Sequence, residues 1–151
     1  MILIPGNQVT YREADKDFNR LNHFKVEEAG EKVAILALGD FYQRGEQLSA
    51  KIKAEFGFTP TLINPRFASG IDKELLESLS ERHQMVITME DGILSGGFGE
   101  KIASFYGSSD MKVKNYGLDK KFYDRYDPNE LLKEVGMTPV QIIADICNQI
   151  K

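Results

Sequence analysis

The chain has 151 residues, of which 42% are hydrophobic and 28% are charged, and its formal net charge is −4. This composition is typical of one globular domain with a hydrophobic core, and it excludes a disordered or fibrous protein. The acidic balance argues against non-specific binding to nucleic acid, and no apolar run approaches the ~20 residues that cross a membrane.

The first residues, MILIPGNQV, contain no basic stretch, no long apolar core and no cleavage site, so they predict no signal peptide. The single cysteine, Cys147, cannot form an internal disulfide, and its isoleucine neighbours at helical spacing favour a small buried side chain over a reactive thiol. His23 and His83 have no other ligands at zinc-binding spacing. We expect a cytoplasmic protein without a metal site.

Strands and helices are predicted to alternate in the first half of the chain. Residues 23–32 (HFKVEEAGEK) alternate weakly, as an edge strand does, whereas residues 33–39 (VAILALG) are a continuous apolar run that predicts a strand covered on both faces. An amphipathic helix that ends at Gly57 follows, and residues 60–67 (PTLINPRF) predict the next strand.

The alternation continues in the second half. Asp72 is a candidate N-cap of a second helix, and residues 84–91 (QMVITMED) predict a third inner strand. Apolar residues at helical spacing predict a helix from about residue 98. Residues 111–117 (MKVKNYG) predict a more exposed strand, because lysines alternate with its other residues.

The C-terminal end of the chain carries the clearest helix signals. Asp127 is a predicted N-cap followed by Pro128 at the first helical position, and Gly136 ends that helix. Thr138 and Gln141 predict a capping box for a last helix. Buried strands alternating with helices predict one three-layer α/β domain with a mainly parallel sheet.

A glycine-rich turn into a helix lies within residues 90–105 (EDGILSGGFGEKIASF), and such turns can bind phosphate on helix N-terminal amides. The spacing fits neither a P-loop nor a dinucleotide-binding fingerprint, and Glu90 and Glu100 add negative charge. We therefore predict a packing element, in which backbones approach closely within the domain or across a subunit interface. Its residues are Gly96, Gly97, Phe98 and Gly99.

Other candidates for chemistry are weaker. Arg66 ends a strand, where α/β sheets bind ligands, but a structural ion pair is the commoner role. Glu90 and Asp91 are adjacent on an extended chain and point to opposite faces, which disfavours a shared acid–base or cation site. We interpret His83 as a solvated surface residue, and residues 119–127 (DKKFYDRYD) as a loop that packs its aromatic rings inward.

Over nearly its whole length the chain resembles the C-terminal domain of 1-deoxy-D-xylulose-5-phosphate synthase, a thiamine-diphosphate-dependent enzyme of the transketolase family. The resemblance rests on six segments in order: IPGN, GEKVAILALG, INPRF, VITMEDGILSGGFGEKI, YGLDKKF and DPNELLKEVGMTPVQII. It implies a three-layer α/β/α sandwich around a mostly parallel five-stranded sheet with one antiparallel edge strand. It also implies that residues 1–151 form a single domain of a longer multidomain enzyme.

The family condenses pyruvate with glyceraldehyde 3-phosphate to give 1-deoxy-D-xylulose 5-phosphate and carbon dioxide, for isoprenoid and thiamine biosynthesis. Its thiamine diphosphate and Mg²⁺ are held by two upstream domains of the same or a partner chain. The resemblance therefore implies no catalytic, cofactor-binding or metal-binding residue in this chain, which would be inactive alone. It implies a domain that supports a homodimer and borders the substrate site, most closely through Pro5, Gly6 and Asn7.

One departure from the family pattern leaves the acceptor substrate open. The segment that matches IPGN commonly carries an arginine between proline and glycine that grips the substrate phosphate, whereas here Pro5 is followed directly by Gly6. The alternatives are the matching domain of another transketolase-like enzyme or of a 2-oxo-acid dehydrogenase beta subunit, and a free-standing interaction module without chemistry. A small nucleotide- or flavin-binding protein is the least favoured alternative.

Overall fold

The computed structural model describes residues 20–150, and the predicted substrate-bordering residues Pro5, Gly6 and Asn7 lie outside them. The strands and α-helices of the described part are β1 Lys25–Glu28, β2 Lys32–Ala37, α1 Tyr42–Phe56, β3 Thr61–Asn64, α2 Lys73–Leu79, β4 His83–Ile93, α3 Phe98–Tyr106, β5 Lys112–Leu118, α4 Pro128–Glu134 and α5 Pro139–Ile146. A 3₁₀ turn, Gly39–Phe41, lies between β2 and α1.

The strands form one five-stranded sheet in the order β1-β3-β2-β4-β5. β1 is antiparallel to β3, and all other pairs are parallel. This arrangement confirms the predicted fold class, including its antiparallel edge strand. The chain crosses from β3 over β2 to β4, so the carboxyl ends of β2 and β4 meet at the point where the strand order reverses.

Helices cover both faces of the sheet and divide the core in two. β2 shows the division residue by residue: Val33 and Ile35 pack in the core under α1, α4 and α5, whereas Ala34 and Leu36 pack in the core under α2 and α3. Both sets are fully buried. A strand with two buried faces requires apolar residues at successive positions, which explains the continuous run in its sequence.

The predicted helix ends are confirmed by their hydrogen bonds. α1 ends at Gly57, whose φ of 75° is left-handed. The Asp127 carboxylate accepts two amide hydrogens of the first turn of α4, and Pro128 occupies the first position of that helix. The Thr138 and Gln141 side chains form the predicted capping box of α5.

The prediction that Cys147 is a buried core residue is wrong. Cys147 follows the last turn of α5 and is only half-buried, and its thiol contacts the carbonyl of Ala144 at 3.3 Å. The core positions of this helix are taken by Ile142, Ile143 and Ile146. The isoleucines fill the apolar face, so the cysteine lies at its margin.

The interpretation of His83 as a solvated surface residue is also wrong. Its Nδ1 lies 2.9 Å from the carbonyl oxygen of Leu79, and its Nε2 lies 2.7 Å from Thr61 Oγ1. The Gly30 amide donates to that same hydroxyl at 2.9 Å. These contacts join the end of α2, the start of β3 and the turn before β2, and burial lowers the pKa of His83 below 6.5.

The pKa of His83 predicts a pH-dependent stability. Because the fold favours the neutral ring, the unfolded chain binds more protons below pH 6.5. The contribution of His83 to the free energy of unfolding is therefore complete above pH 6.5 and is lost as the pH falls through the lowered folded-state pKa. We expect the melting temperature of the wild type to fall more between pH 7 and pH 5 than that of His83→Gln. Equal falls in the two proteins would contradict this role.

Candidate functional site

The carboxyl ends of the parallel strands form the edge where α/β sheets place functional groups. The glycine-rich turn begins just beyond β4, and Arg66 follows β3. The 3₁₀ turn after β2 lies beside the end of β4, because the Leu38 amide donates to the carbonyl of Met89 at 2.9 Å. The structure therefore brings most of the predicted candidates to one edge of the sheet.

Glu90 is buried at this edge. It belongs to β4, and its side chain caps the N-terminus of helix α3. One carboxylate oxygen accepts the amide hydrogen of Phe98 at 2.9 Å, and the other accepts that of Gly99 at 2.8 Å. Both amides belong to the first turn of α3, where the partial positive charge of the helix attracts anions. The anion at this helix N-terminus is the protein's own carboxylate.

The two preceding amides also have partners. Gly97 donates to the carbonyl of Leu94 at 2.9 Å, and Gly96 donates to Glu100 Oε2 at 2.7 Å. Four successive amides, at positions 96–99, are thus satisfied within the domain. The sequence identified Glu90 and Glu100 as charges that repel phosphate, and it did not predict that they accept these amide hydrogens. The hydrogen bonds of Glu90 join residues that are 8 and 9 positions apart in the chain, and no local sequence pattern predicts them.

Two glycines of the turn leave no room for a side chain. A Cβ on Gly97 would lie 2.6 Å from the carbonyl oxygen of Ile93 and 2.7 Å from the Glu90 carboxylate. A Cβ on Gly99 would lie 2.6 Å from the hydroxyl of Thr88, which donates to Asn115 Oδ1 at 2.8 Å. These close approaches occur inside the domain, and a contact of the turn with a second subunit stays a prediction.

The other two residues of the turn have different surroundings. Gly96 is exposed and has a left-handed φ of 76°, which a glycine adopts without strain. Phe98 is buried in the core under α2 and α3, and its ring centroid lies 5.9 Å from that of Phe24. The Phe98 side chain thus anchors the start of α3 to the sheet.

Arg66 is held by the backbone of the segment before β1. It adopts a left-handed φ of 60°, and its guanidinium Nε and Nη2 donate to the carbonyl of His23 at 3.1 and 2.7 Å. Glu90 is buried and Asp91 is exposed, so these two carboxylates do not face one another. Arg66 and Glu90 both serve in contacts that join segments of the domain.

Tyr116 and Asp145 tie β5 to α5. The tyrosine hydroxyl donates to the carboxylate at 2.7 Å, and Lys114 Nζ lies 3.2 Å from the same carboxylate. Burial is the larger cause, and the bond to Asp145 the next, of a pKa of Tyr116 well above its ordinary value of 10.0. The same bond lowers the pKa of Asp145. The hydroxyl of Tyr116 therefore stays protonated near pH 7.

The prediction that residues 119–127 pack their aromatic rings inward is wrong for two of the three rings. Phe122 is 103% exposed and Tyr126 is 51% exposed. Only Tyr123 is half-buried, and its ring meets that of Tyr126 edge-on at a centroid distance of 6.1 Å. The loop holds one ring inward and turns the other two toward solvent.

Within residues 20–150, no group of three or more histidine, cysteine, aspartate or glutamate side chains is placed to hold a metal ion. The same residues contain no helix that is long and apolar enough to cross a membrane. The amides at the start of α3 are already bonded to Glu90 and Glu100, so they do not fit a diphosphate group.

Residues 22–142 match the model of the family described as "Transketolase, C-terminal domain". The chain belongs to this family. The transketolase C-terminal domain match confirms the resemblance inferred from the sequence segments. It covers the whole sheet and all but the last turn of α5.

The transketolase C-terminal domain described here is 31% identical over 144 residues to a 1-deoxy-D-xylulose-5-phosphate synthase from a strain of Prochlorococcus marinus. It is 32% identical over 153 residues to the synthase from a strain of Shouchella clausii. These alignments cover 94% and 99% of this chain but only 22% and 24% of the relatives. The chain thus spans less than a quarter of the length of these relatives.

Two solved structures share the fold. One is a split gene transketolase in an inactive beta4 tetramer, with a TM-score of 0.75 and 24% identity over 85% of this chain and 42% of that chain. The other is a 2-oxoglutarate:ferredoxin oxidoreductase from Magnetococcus marinus, with a TM-score of 0.53 and 14% identity over 89% of this chain and 20% of that chain. At these identities the likeness shows the fold alone.

The space around Gly97 predicts a large effect of one methyl group. In Gly97→Ala the new Cβ would overlap the Ile93 carbonyl and the Glu90 carboxylate, so the first turn of α3 must shift. We expect a loss of about 1–3 kcal/mol in the free energy of unfolding, measured by chemical denaturation. Gly107→Ala is the matched control, because its Cβ would lie no closer than 3.4 Å to other atoms and its φ is negative. Equal stabilities of the two variants would contradict the steric role.

The Glu90 carboxylate predicts a second effect at the same helix end. Glu90→Gln keeps the size of the side chain, but its NH₂ group cannot accept an amide hydrogen, so one buried donor loses its partner. We expect a loss of about 1–3 kcal/mol by the same denaturation assay. Glu100→Gln is the control, because the Glu100 carboxylate accepts one amide hydrogen of the same turn but is exposed to solvent. A Glu90→Gln variant as stable as Glu100→Gln would remove this role.

Proposed function

We propose that this chain is the C-terminal domain of a 1-deoxy-D-xylulose-5-phosphate synthase-like enzyme, which condenses pyruvate with glyceraldehyde 3-phosphate and releases carbon dioxide. The observation that supports this proposal is the extent of the similarity. The alignments to relatives named as this synthase run through 94% and 99% of the chain at 31% and 32% identity. A shared fold alone would not require similarity along the whole domain.

In this proposal the domain is a scaffold and does not carry the chemistry. Thiamine diphosphate and Mg²⁺ are bound by other domains, in the same chain or in a partner chain, and this domain supports the homodimer and borders the substrate site. The engagement of the polar groups at the carboxyl edge is in keeping with that role. Glu90, Arg66 and the amides of the glycine-rich turn all bond to other parts of the domain.

A second candidate is a transketolase-like enzyme that uses another acceptor. Pro5 is followed directly by Gly6, so the arginine that the synthase family commonly places between them is not present to bind an acceptor phosphate. The structural neighbour with a TM-score of 0.75 is a split gene transketolase.

The proposal is tested on the protein isolated from its source cells, with an antibody against this domain. We expect a polypeptide several times heavier than 17.1 kDa, or a complex of this chain with a thiamine-binding subunit. With thiamine diphosphate, Mg²⁺, pyruvate and glyceraldehyde 3-phosphate, that protein should release carbon dioxide and form 1-deoxy-D-xylulose 5-phosphate. The 151-residue chain alone should release none.

The acceptor is the control that separates the two candidates. Unphosphorylated glyceraldehyde replaces glyceraldehyde 3-phosphate in a parallel assay, and the ratio of the two kcat/KM values measures how much the enzyme depends on the phosphate. Turnover with other aldehydes but none with glyceraldehyde 3-phosphate would favour the second candidate. An isolated protein without thiamine-dependent turnover would contradict both and leave the free-standing interaction module.

A further inference from the structure

The most exposed large hydrophobic side chain in the described part of the chain is Phe122, at 103%. It belongs to the aromatic loop, which we define as residues 119–126, between β5 and the N-cap of α4. Tyr126 of the same loop is 51% exposed, and Ile93, which pairs with Leu118 at the end of β5, is 42% exposed. Ile93 and the start of the aromatic loop thus lie at the carboxyl end of β5.

The aromatic loop is ordered by its own contacts. The Asp119 amide donates to the hydroxyl of Tyr123 at 3.1 Å, and the Lys121 amide donates to the carbonyl of Asp119 at 2.8 Å. Lys121 Nζ lies 5.0 Å from the Tyr123 ring centroid and 3.8 Å from the Glu134 carboxylate on α4. Tyr123 is therefore the inner side chain of the loop. Phe122 is exposed on the same loop, whose backbone is held by these contacts.

The other exposed apolar residues of the described chain do not form such a surface. Val26 lies on edge strand β1 between charged residues, which is how edge strands avoid pairing with other chains. Leu21 and Val140 are single exposed side chains, which are common on protein surfaces. The aromatic loop differs because it presents two exposed rings within eight residues, and Lys120, Asp124 and Arg125 are exposed in the same loop.

We infer that Phe122, together with Tyr126 of the same loop, is the anchor by which this domain docks on the thiamine-diphosphate-binding part of the enzyme. This inference rests on the proposed function. Aromatic and arginine residues inside a polar rim are the composition of the energetic centre of protein interfaces. An anchor on an ordered loop also loses little conformational freedom on docking.

The length of the relatives decides the choice of occupant. The part that matches this domain makes up 22% and 24% of the two synthases, so more than three quarters of each polypeptide lies outside it. In the proposed enzyme, the remaining domains belong to the same polypeptide or the same complex as this domain. They are therefore the partner we choose for its exposed surface. A second copy of this chain is the outcome against which the test discriminates.

Photo-crosslinking in the assembled enzyme tests the inference. Phe122→p-benzoylphenylalanine places a crosslinking ring at the anchor, and Val140→p-benzoylphenylalanine is the control at an exposed apolar position on α5. After irradiation, mass spectrometry identifies the crosslinked peptides. We expect crosslinks from position 122 to peptides of the thiamine-binding domains, and a clearly lower yield of such crosslinks from position 140.

Activity measured on the same preparation separates the inference from the proposed function. Synthase activity without a crosslink from position 122, or with crosslinks only to a second copy of this domain, would overturn the inference and leave the proposed function standing. A crosslink to thiamine-binding domains in an enzyme that prefers another acceptor would support the inference and contradict the assigned acceptor. An isolated protein that contains this chain alone would overturn both.

Discussion

The bond between the Glu90 carboxylate and the first turn of α3 is the constraint that orders the carboxyl edge of this domain. A buried carboxylate is stable only where strong donors surround it. Here two helix amides supply them, at 2.9 and 2.8 Å. To reach those amides, the carboxylate lies so close to the backbone of Gly97 that no side chain fits at that position. The same constraint reaches β5, because a Cβ on Gly117 would lie 3.2 Å from Glu90 Cγ.

This constraint also bears on function. A helix that follows a parallel strand through a glycine-rich turn is a common phosphate site, because its free amides and its dipole attract anions. In this domain the amides at positions 96–99 are bonded internally. The turn thus has the shape of an anion site, but its amide hydrogens stabilise the domain by bonding to the protein's own oxygens. The exposed side chain of Phe122 is not part of this internally bonded turn.

Most of the fold could be predicted from the sequence, because its signals are local. The continuous apolar run of β2 and the capping residues Asp127 and Thr138 depend only on neighbours within a few positions, and the structure confirms each of them. The site could be predicted only in part. The roles of Glu90 and His83 depend on partners that lie between 4 and 22 residues away, and no periodicity encodes such contacts.

The aromatic loop shows a different limit of sequence reasoning. Aromatic side chains are buried in most folded domains, so a loop with three rings predicts inward packing. Tyr123 follows that expectation because its hydroxyl accepts the Asp119 amide, and the bond fixes which ring is inside. Its neighbour Phe122 then faces solvent, where its apolar surface is unfavourable by the hydrophobic effect. A free-standing domain gains nothing from that exposure, whereas a domain of a larger enzyme recovers the free energy when a neighbouring domain covers the ring.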